Sequence, residues 1–110
     1  MSAKFVLKKS ANGQFHFRLQ AANGEPILQS EMYASKSSAE NGIASVRTNA
    51  PIDERYERKN AKNGQPMFNL KAANHEVIGT SEMYSSVAAC DNGIASVKTN
   101  APKAALDDQT

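Results

Sequence analysis

Residues Asn41–Pro51 read NGIASVRTNAP, and the stretch returns at Asn92–Pro102 as NGIASVKTNAP, with one arginine replaced by lysine. Outward from this stretch, a gapless match continues along the chain at a constant offset, shown by Gly13 and Gly64, which lie 51 residues apart. Roughly half of the aligned pairs are identical, which is a strong internal repeat. The chain therefore carries two copies of one structural unit.

The duplicated stretch has the spacing of an amphipathic helix. Small and apolar residues recur at i, i+3, i+4 and i+7, and these residues are Ala39, Gly42, Ile43, Val46, Cys90, Gly93, Ile94 and Val97. A glycine inside a helix costs about 1 kcal/mol relative to alanine. Glycine on the apolar stripe of both copies indicates that the helix backbone lies very close to the sheet there. A bulky residue at Gly42 or Gly93 is predicted to destabilise the fold.

The helix start allows two interpretations in the first copy. Ser35 and Ser86 occupy equivalent positions just before the helical pattern, and serine is a preferred N-cap residue. In the first copy, the segment Ser37–Glu40 offers a competing capping box.

Three short strands are predicted before each helix. Phe5–Lys9 is followed by an Asn-Gly turn at Gly13, and the next segment alternates apolar and polar residues from Phe15 to Ala21, as a half-buried strand does. A second Asn-Gly turn at Gly24 leads to the third strand. In the second copy, Pro66 predicts a strand start or a free edge, because proline cannot donate a ladder hydrogen bond.

These elements predict an α+β fold of two tandem β-β-β-α repeats with pseudo-twofold symmetry, forming one continuous antiparallel sheet packed by two helices. A unit of about 50 residues is close to the lower limit for a core of its own. The repeats, residues 1–51 and 52–102, are therefore expected to share one core as a single domain. Residues 103–110 lack an apolar period and are expected to be a disordered tail.

Composition excludes several function classes. A formal net charge of +2 in 110 residues is too small to indicate a polyanion partner by itself. The N-terminal stretch lacks the apolar run of a signal peptide, and no segment is long enough to span a membrane. We therefore expect a cytoplasmic protein without a membrane partner. Cys90 is the only cysteine, which excludes an internal disulfide and a cysteine-rich zinc site.

One polar constellation occurs in both copies, in the connection from the third strand to the helix. It comprises Ser30, Glu31 and Tyr33 in the first copy and Ser81, Glu82 and Tyr84 in the second. A pseudo-twofold axis can bring such groups into a symmetric acidic or hydroxyl-lined site. The favoured interpretation is structural: serine and glutamate satisfy backbone groups while tyrosine anchors the helix to the sheet.

A basic strand face is the candidate for nucleic-acid binding. Arg18 and Lys71 lie on the polar side of the predicted strands, where they can follow phosphates. The phenylalanines share the opposite, inward face, so no stacking platform for bases is predicted. Nucleic-acid binding is therefore an alternative and not the favoured function.

No catalytic residue, cofactor site or metal site is predicted. The two histidines, His16 and His75, match Met67 and Gly24 in the other copy, so neither belongs to a duplicated site. Cys90 matches Ala39 on the helix stripe, which indicates a small buried side chain and not an activated thiolate.

The pattern Asn-Gly-Gln, Phe-x-Leu-x-Ala-x-Asn, Ser-Glu-x-Tyr and Gly-Ile-x-Ser-Val-x-x-Asn, occurring twice, resembles the YegP-like family of uncharacterised bacterial proteins. The resemblance covers nearly the whole chain apart from the tail. It implies a tandem β-β-β-α unit in one continuous sheet, and single-unit relatives that complete the same body as homodimers. It implies no activity, substrate or catalytic residue.

We rank the possible function classes by which characteristic residues the sequence lacks. The leading hypothesis is a small non-enzymatic binding or interaction module, a monomer with an internal pseudo-dimer. Its partner is unknown, with a protein as one possibility. Nucleic-acid binding through Arg18 and Lys71 ranks second. An enzyme using the region of Glu31 and Glu82 ranks third.

Overall fold

The computed structural model describes residues 3–110, and within them the chain forms seven strands and two helices. Met1 and Ser2, part of the N-terminal stretch that lacks the pattern of a signal peptide, lie outside the described residues. The elements are β1 (Lys4–Lys9), β2 (Phe15–Gln20), β3 (Pro26–Gln29), α1 (Lys36–Asn49), β4 (Tyr56–Asn60), β5 (Pro66–Lys71), β6 (Val77–Thr80), α2 (Val87–Asn100) and β7 (Ala105–Asp108). The predicted tandem β-β-β-α repeat is confirmed, and a seventh strand follows it.

All seven strands form one sheet in the order β4-β5-β6-β3-β2-β1-β7. The third strands of the two repeats, β3 and β6, meet in the middle and pair antiparallel through Gln29 and Thr80. The first strands of the two repeats, β1 and β4, therefore lie toward opposite sides of the sheet. This order follows from the pseudo-twofold relation between the repeats.

Both helices pack on one face of the sheet and enclose a single core. Its largest fully buried side chains come from both repeats: Phe5, Phe17, Phe68, Leu7, Leu19, Leu28, Leu70, Val46, Val97 and Cys90. Helix α1 contacts β5 and β6 of the second repeat, and α2 contacts β3 of the first. The repeats therefore share their apolar interior, as their small size requires.

The helices begin where the duplicated serines predict. The Ser35 hydroxyl accepts a hydrogen bond from the Ser38 amide at 3.1 Å, and the Ser86 hydroxyl accepts one from the Ala89 amide at the same distance. The competing start at Ser37 is therefore wrong. Neither of the two helices, each 14 residues long, has the length and apolar character needed to cross a membrane.

One tight turn carries a residue that its backbone disfavours. Gly24 in the first repeat has φ +86°, and His75 occupies the equivalent turn with φ +71°. In both turns the preceding asparagine accepts a hydrogen bond from the amide two residues later, at 3.1 Å. The geometry is thus conserved between repeats, although a Cβ is strained at this φ.

Replacing His75 with glycine is expected to raise the free energy of unfolding by about 1 kcal/mol, because relief of the left-handed strain exceeds the extra backbone entropy of glycine. Chemical denaturation measures the change. The reciprocal variant Gly24→His provides the control and should destabilise the protein by a similar amount. A loss of stability in His75→Gly would contradict this explanation.

The C-terminal segment is a strand, so the expectation of a disordered tail at residues 103–110 is wrong. β7 pairs parallel with β1, which makes the sheet mixed instead of wholly antiparallel. Ala104 is buried, and its carbonyl accepts a hydrogen bond from Arg47 Nη2 at 2.8 Å. Beyond it, Asp107 pairs with Lys4 at 3.1 Å and Asp108 pairs with Lys36 at 2.6 Å. Backbone pairing and these polar contacts order a segment that has little apolar content.

Acid is expected to release β7 before the rest of the sheet. The hydrogen bond from Lys36 holds the pKa of Asp108 well below its usual range, and hydrogen bonds from Gln109 and then Lys4 lower the pKa of Asp107. A lowered pKa in the folded state means stabilisation that is complete above the usual carboxyl pKa and lost as pH falls below about 4. NMR relaxation should show residues 105–110 becoming mobile there, while β1 and β2 stay paired.

The double variant Asp107→Asn with Asp108→Asn should show the same mobility at pH 7. Glu25→Gln, which changes an exposed carboxylate in the β2–β3 turn, should not. An ordered C-terminal segment in the double variant would show that the ion pairs do not hold β7.

Candidate functional site

The duplicated serines hold the strand-to-helix connection. The Ser30 hydroxyl accepts from the Phe17 amide at 2.9 Å and donates to the Glu31 carbonyl at 2.7 Å. Ser81 makes the same two bonds, with Phe68 and Glu82, at the same distances. The structural role predicted for the serines is thus confirmed.

The duplicated tyrosines lie between the sheet and the helix glycines. The Tyr33 ring stacks on Phe17 with centroids 6.1 Å apart, and the Tyr84 ring stacks on Phe68 at 6.3 Å. A Cβ added at Gly42 would come within 2.5 Å of the Tyr33 hydroxyl oxygen. Glycine is therefore needed because the Tyr33 ring and the Phe17 ring of the sheet approach the helix backbone. Burial raises the pKa of both tyrosines, which keeps their hydroxyls neutral.

The carboxylates of Glu31 and Glu82 are exposed, and within residues 3–110 neither makes a hydrogen bond or an ion pair. The prediction that they satisfy backbone groups is therefore wrong. The same part of the chain contains no cluster of three or more His, Cys, Asp or Glu side chains that would hold a metal ion.

The two basic residues predicted to bind nucleic acid, Arg18 and Lys71, do not lie together on the face of the sheet that carries no helix. Lys71 pairs with Glu57 at 2.9 Å, and this hydrogen bond lowers the pKa of Glu57. Arg18 lies on β2, three strands from β5, a distance of about 14 Å at the usual strand spacing. One of the two cations is thus neutralised and the other lies apart, which leaves no continuous basic strip through them.

The edge of the sheet at β4 has open backbone groups. The Phe68 amide and carbonyl bond to Ser81, on the β6 side, so Phe68 does not bond to its partner Arg58 on β4. Pro66 likewise faces β6, since its carbonyl accepts from Tyr84. The peptide groups of Arg58 and Asn60 must therefore point outward from the sheet, and β4 is the end of the strand order.

The matching edge of the first repeat is covered. Leu7, which corresponds to Arg58, has its carbonyl bonded to the Gln109 amide at 2.8 Å, just beyond β7. Strand β7 pairs along β1, but within residues 3–110 no segment pairs along the outer side of β4. The pseudo-twofold relation is broken here, because no outer strand covers the second repeat within residues 3–110.

An apolar groove runs beside the open edge, between β4, β5 and the first turn of α2. Its volume is about 340 Å³, and it is lined by Arg58, Lys59, Asn60, Pro66, Met67, Val87 and Cys90. A second hollow of about 500 Å³ adjoins it at the β4–β5 turn and includes Met83. Val87 is 64% exposed and Met83 55% exposed, so both hollows carry exposed apolar surface.

Sequence differences between the repeats account for the groove. Pro66 replaces Phe15, whose ring packs against the core of the first repeat. Val87 replaces Lys36, the residue that binds β7 through Asp108. The second repeat therefore has an apolar hollow where the first has an aromatic ring and an ion pair.

Sequence reasoning used one difference between the repeats, Pro66, which predicted a strand start and does begin β5, but it did not connect the differences with an open edge. The available signal was the set of positions where the second repeat departs from the first: Arg58 for Leu7, Pro66 for Phe15 and Val87 for Lys36. These substitutions converge in space on one side of α2. Cys90, also on this groove, is only 2% exposed, which confirms the predicted small buried side chain, and burial raises the pKa of its thiol.

Comparison with known proteins agrees with the duplicated architecture. The model of a family described as a domain of unknown function, DUF1508, matches residues 10–57 and again residues 61–108. A UPF0339 protein of Shewanella oneidensis is 58% identical over the full length of both chains, and the UPF0339 protein YegP of Escherichia coli is 56% identical, also over the full length of both.

Two solved structures have the same fold. The solution NMR structure of a UPF0339 protein from Shewanella oneidensis has a TM-score of 0.92 and 58% identity, covering 98% of this chain and 92% of that one. The solution NMR structure of the protein of unknown function yegP from E. coli has a TM-score of 0.94 and 55% identity, covering 100% and 95%. The resemblance seen in the sequence motifs is confirmed.

Proposed function

The chain belongs to the DUF1508 family of YegP-like proteins, and from that premise we propose that it is a non-enzymatic binding module that takes an extended peptide segment of a partner protein along β4. The segment adds an eighth strand to the sheet. Backbone hydrogen bonds along the edge supply affinity, and the adjoining groove receives a side chain, as in other cases of strand addition.

The observation that carries this proposal is the difference between the two sheet edges. One repeat has an outer strand, β7, and the other has open peptide groups at Arg58 and Asn60 beside an apolar groove. A fold that accommodates an outer strand on one side has the geometry for one on the other. The proposal places the module in the cytoplasm, where the single free thiol of Cys90 stays reduced.

The charged residues on β4 favour a specific partner over general pairing with other sheets. Charged side chains on an edge strand prevent indiscriminate pairing between sheets, and Glu57, Arg58 and Lys59 are consecutive on β4. A partner must therefore offer complementary side chains as well as a free strand. This requirement favours selective binding over aggregation.

The test compares proline and alanine at Arg58. Peptides are selected from a random display library on the immobilised protein, and their affinities are measured by fluorescence anisotropy. Proline removes the outward N–H that strand addition needs, and the ladder to β5 does not use that N–H. Arg58→Pro should therefore bind roughly fivefold or more weakly, since the lost hydrogen bond contributes about 1 kcal/mol.

Arg58→Ala is the matched control, because it removes the same exposed ion pair with Asp91 while keeping the N–H. Its affinity should stay within about threefold of the unchanged protein, as exposed ion pairs contribute little. Equal affinities of the proline and alanine variants would exclude strand addition at β4. Failure to select any peptide would also count against the proposal.

A further inference from the structure

We infer that the segment bound at β4 runs parallel to that strand and carries an apolar residue followed directly by an acidic one, the first entering the groove and the second facing Lys59. This inference rests on the proposed function and specifies its ligand. We take the pairing of β7 with β1 in the first repeat as a guide to how a bound segment would pair with β4 in the second.

The direction follows from the pairing of β7. Strand β7 runs parallel to β1, with Leu7 opposite Asp108. Arg58 takes the place of Leu7 in the second repeat, and the peptide groups of both residues point outward from the sheet edge. The same backbone geometry is therefore available to a segment parallel to β4. A parallel segment arriving there has one residue in the place of Asp108 and the next in the place of Gln109.

The residue in the place of Asp108 is apolar because its surroundings differ between the repeats. On the first repeat, Asp108 lies on the helix side of the sheet and pairs with Lys36 of α1. The corresponding residue of α2 is Val87, which is exposed and lines the groove with Pro66 and Met67. A carboxylate there would lose the counterpart of Lys36, and the cation beside it, Arg58, is already paired with Asp91 at 2.9 Å. An apolar side chain would instead cover exposed apolar surface.

The next residue is acidic because it faces the opposite side of the sheet. Successive side chains alternate across a strand, so the residue in the place of Gln109 lies on the helix-free face beside Lys59. Lys59 is exposed and has no ion pair within residues 3–110, whereas neighbouring Glu57 is already paired with Lys71. An acidic side chain at this position gains a partner that is otherwise solvated.

A second copy of this chain does not fit these requirements. Two β4 edges related by a twofold axis pair antiparallel, whereas the segment inferred here runs parallel to β4. The chain's own C-terminal segment, offered by another copy, has Asp108 where the groove calls for an apolar residue. The fitting occupant is an acidic and apolar segment of a different protein.

The probes are two synthetic peptides. One has the sequence of residues 104–110, and the other has the same sequence with the substitutions D108L and Q109E. Fluorescence anisotropy should show the substituted peptide binding the full-length protein at least about tenfold more tightly, given an apolar contact and a charge pair gained. Equal or weaker binding of the substituted peptide would overturn the inferred composition.

Val87→Lys restores the residue of the first repeat and should reverse the preference for leucine over aspartate at the first of the two positions. The charge-conserving control Val87→Ile should keep it. A spin label at the N-terminus of the substituted peptide should broaden amide signals near Tyr56, and a C-terminal label those near Asn60. The reverse pattern would overturn the parallel direction.

These outcomes separate the inference from the proposed function. Display-selected peptides that lose affinity in Arg58→Pro, but share no apolar-acidic pair or bind antiparallel, would refute the inferred ligand and leave strand addition standing. Peptides insensitive to Arg58→Pro would refute both.

Discussion

Replacing Phe68 with alanine is expected to lower the free energy of unfolding by about 3–5 kcal/mol, because the change leaves a cavity in a core that both repeats share. Phe68 is 0% exposed. Its ring makes an edge-to-face contact with Tyr56 at 5.7 Å and stacks on Tyr84 at 6.3 Å. The loss should affect both repeats, since α1 of the first repeat packs against the strand that carries Phe68.

Chemical denaturation gives the loss of stability, and amide hydrogen exchange shows where it acts. Slow amides in β1 and β2 should lose protection together with those in β5 and β6, as one cooperative unit does. Met83→Ala, which truncates a half-exposed side chain of the same repeat, is the control and should change stability little. Unchanged protection in the first repeat would show two independent cores.

Replacing Gly93 with leucine is expected to destabilise the protein by about 2 kcal/mol, even though leucine is the better helix former by about 0.8 kcal/mol. A Cβ at this position would lie 2.6 Å from Cζ of Tyr84, whose ring is held against Phe68. The ring cannot yield without disturbing the stack beneath it. Overpacking therefore exceeds the gain in helix propensity.

Ala95→Leu is the matched control on the exposed face of the same helix. It should leave stability almost unchanged, which shows that a leucine is tolerated where no side chain approaches the helix. Gly42→Leu should repeat the loss in the first repeat, where a Cβ would lie 2.9 Å from Cζ of Tyr33. A stabilising Gly93→Leu would show that the tyrosine does not limit the approach of the helix.

Much of the fold could be predicted because the same sequence pattern occurs twice in the chain. The shared positions, such as Ser35 and Ser86 at the helix starts, mark the elements of the repeated unit. The strand β7 could not be predicted in this way. It has one leucine and two aspartates, and its order depends on contacts such as Lys4 with Asp107, which are 103 residues apart in the chain.

The candidate site was harder to predict for a related reason. Polar residues that occur in both repeats are natural candidates for a site, yet Ser30 and Tyr33 stabilise the connection between strand and helix. The open edge arises instead from a missing strand and from substitutions such as Pro66 for Phe15, whose meaning depends on which residues meet in space. A functional role for Glu31, Glu82, Arg18 or Lys71 stays a prediction.

Amide hydrogen exchange of β4, measured by NMR with and without a saturating display-selected peptide, tests the central claim most directly. Strand addition predicts that the outward amides of Arg58 and Asn60 exchange quickly in the free protein and become protected in the complex. Unchanged exchange at these two amides, with the peptide perturbing Arg18 or the Glu31 and Glu82 segments instead, would contradict it.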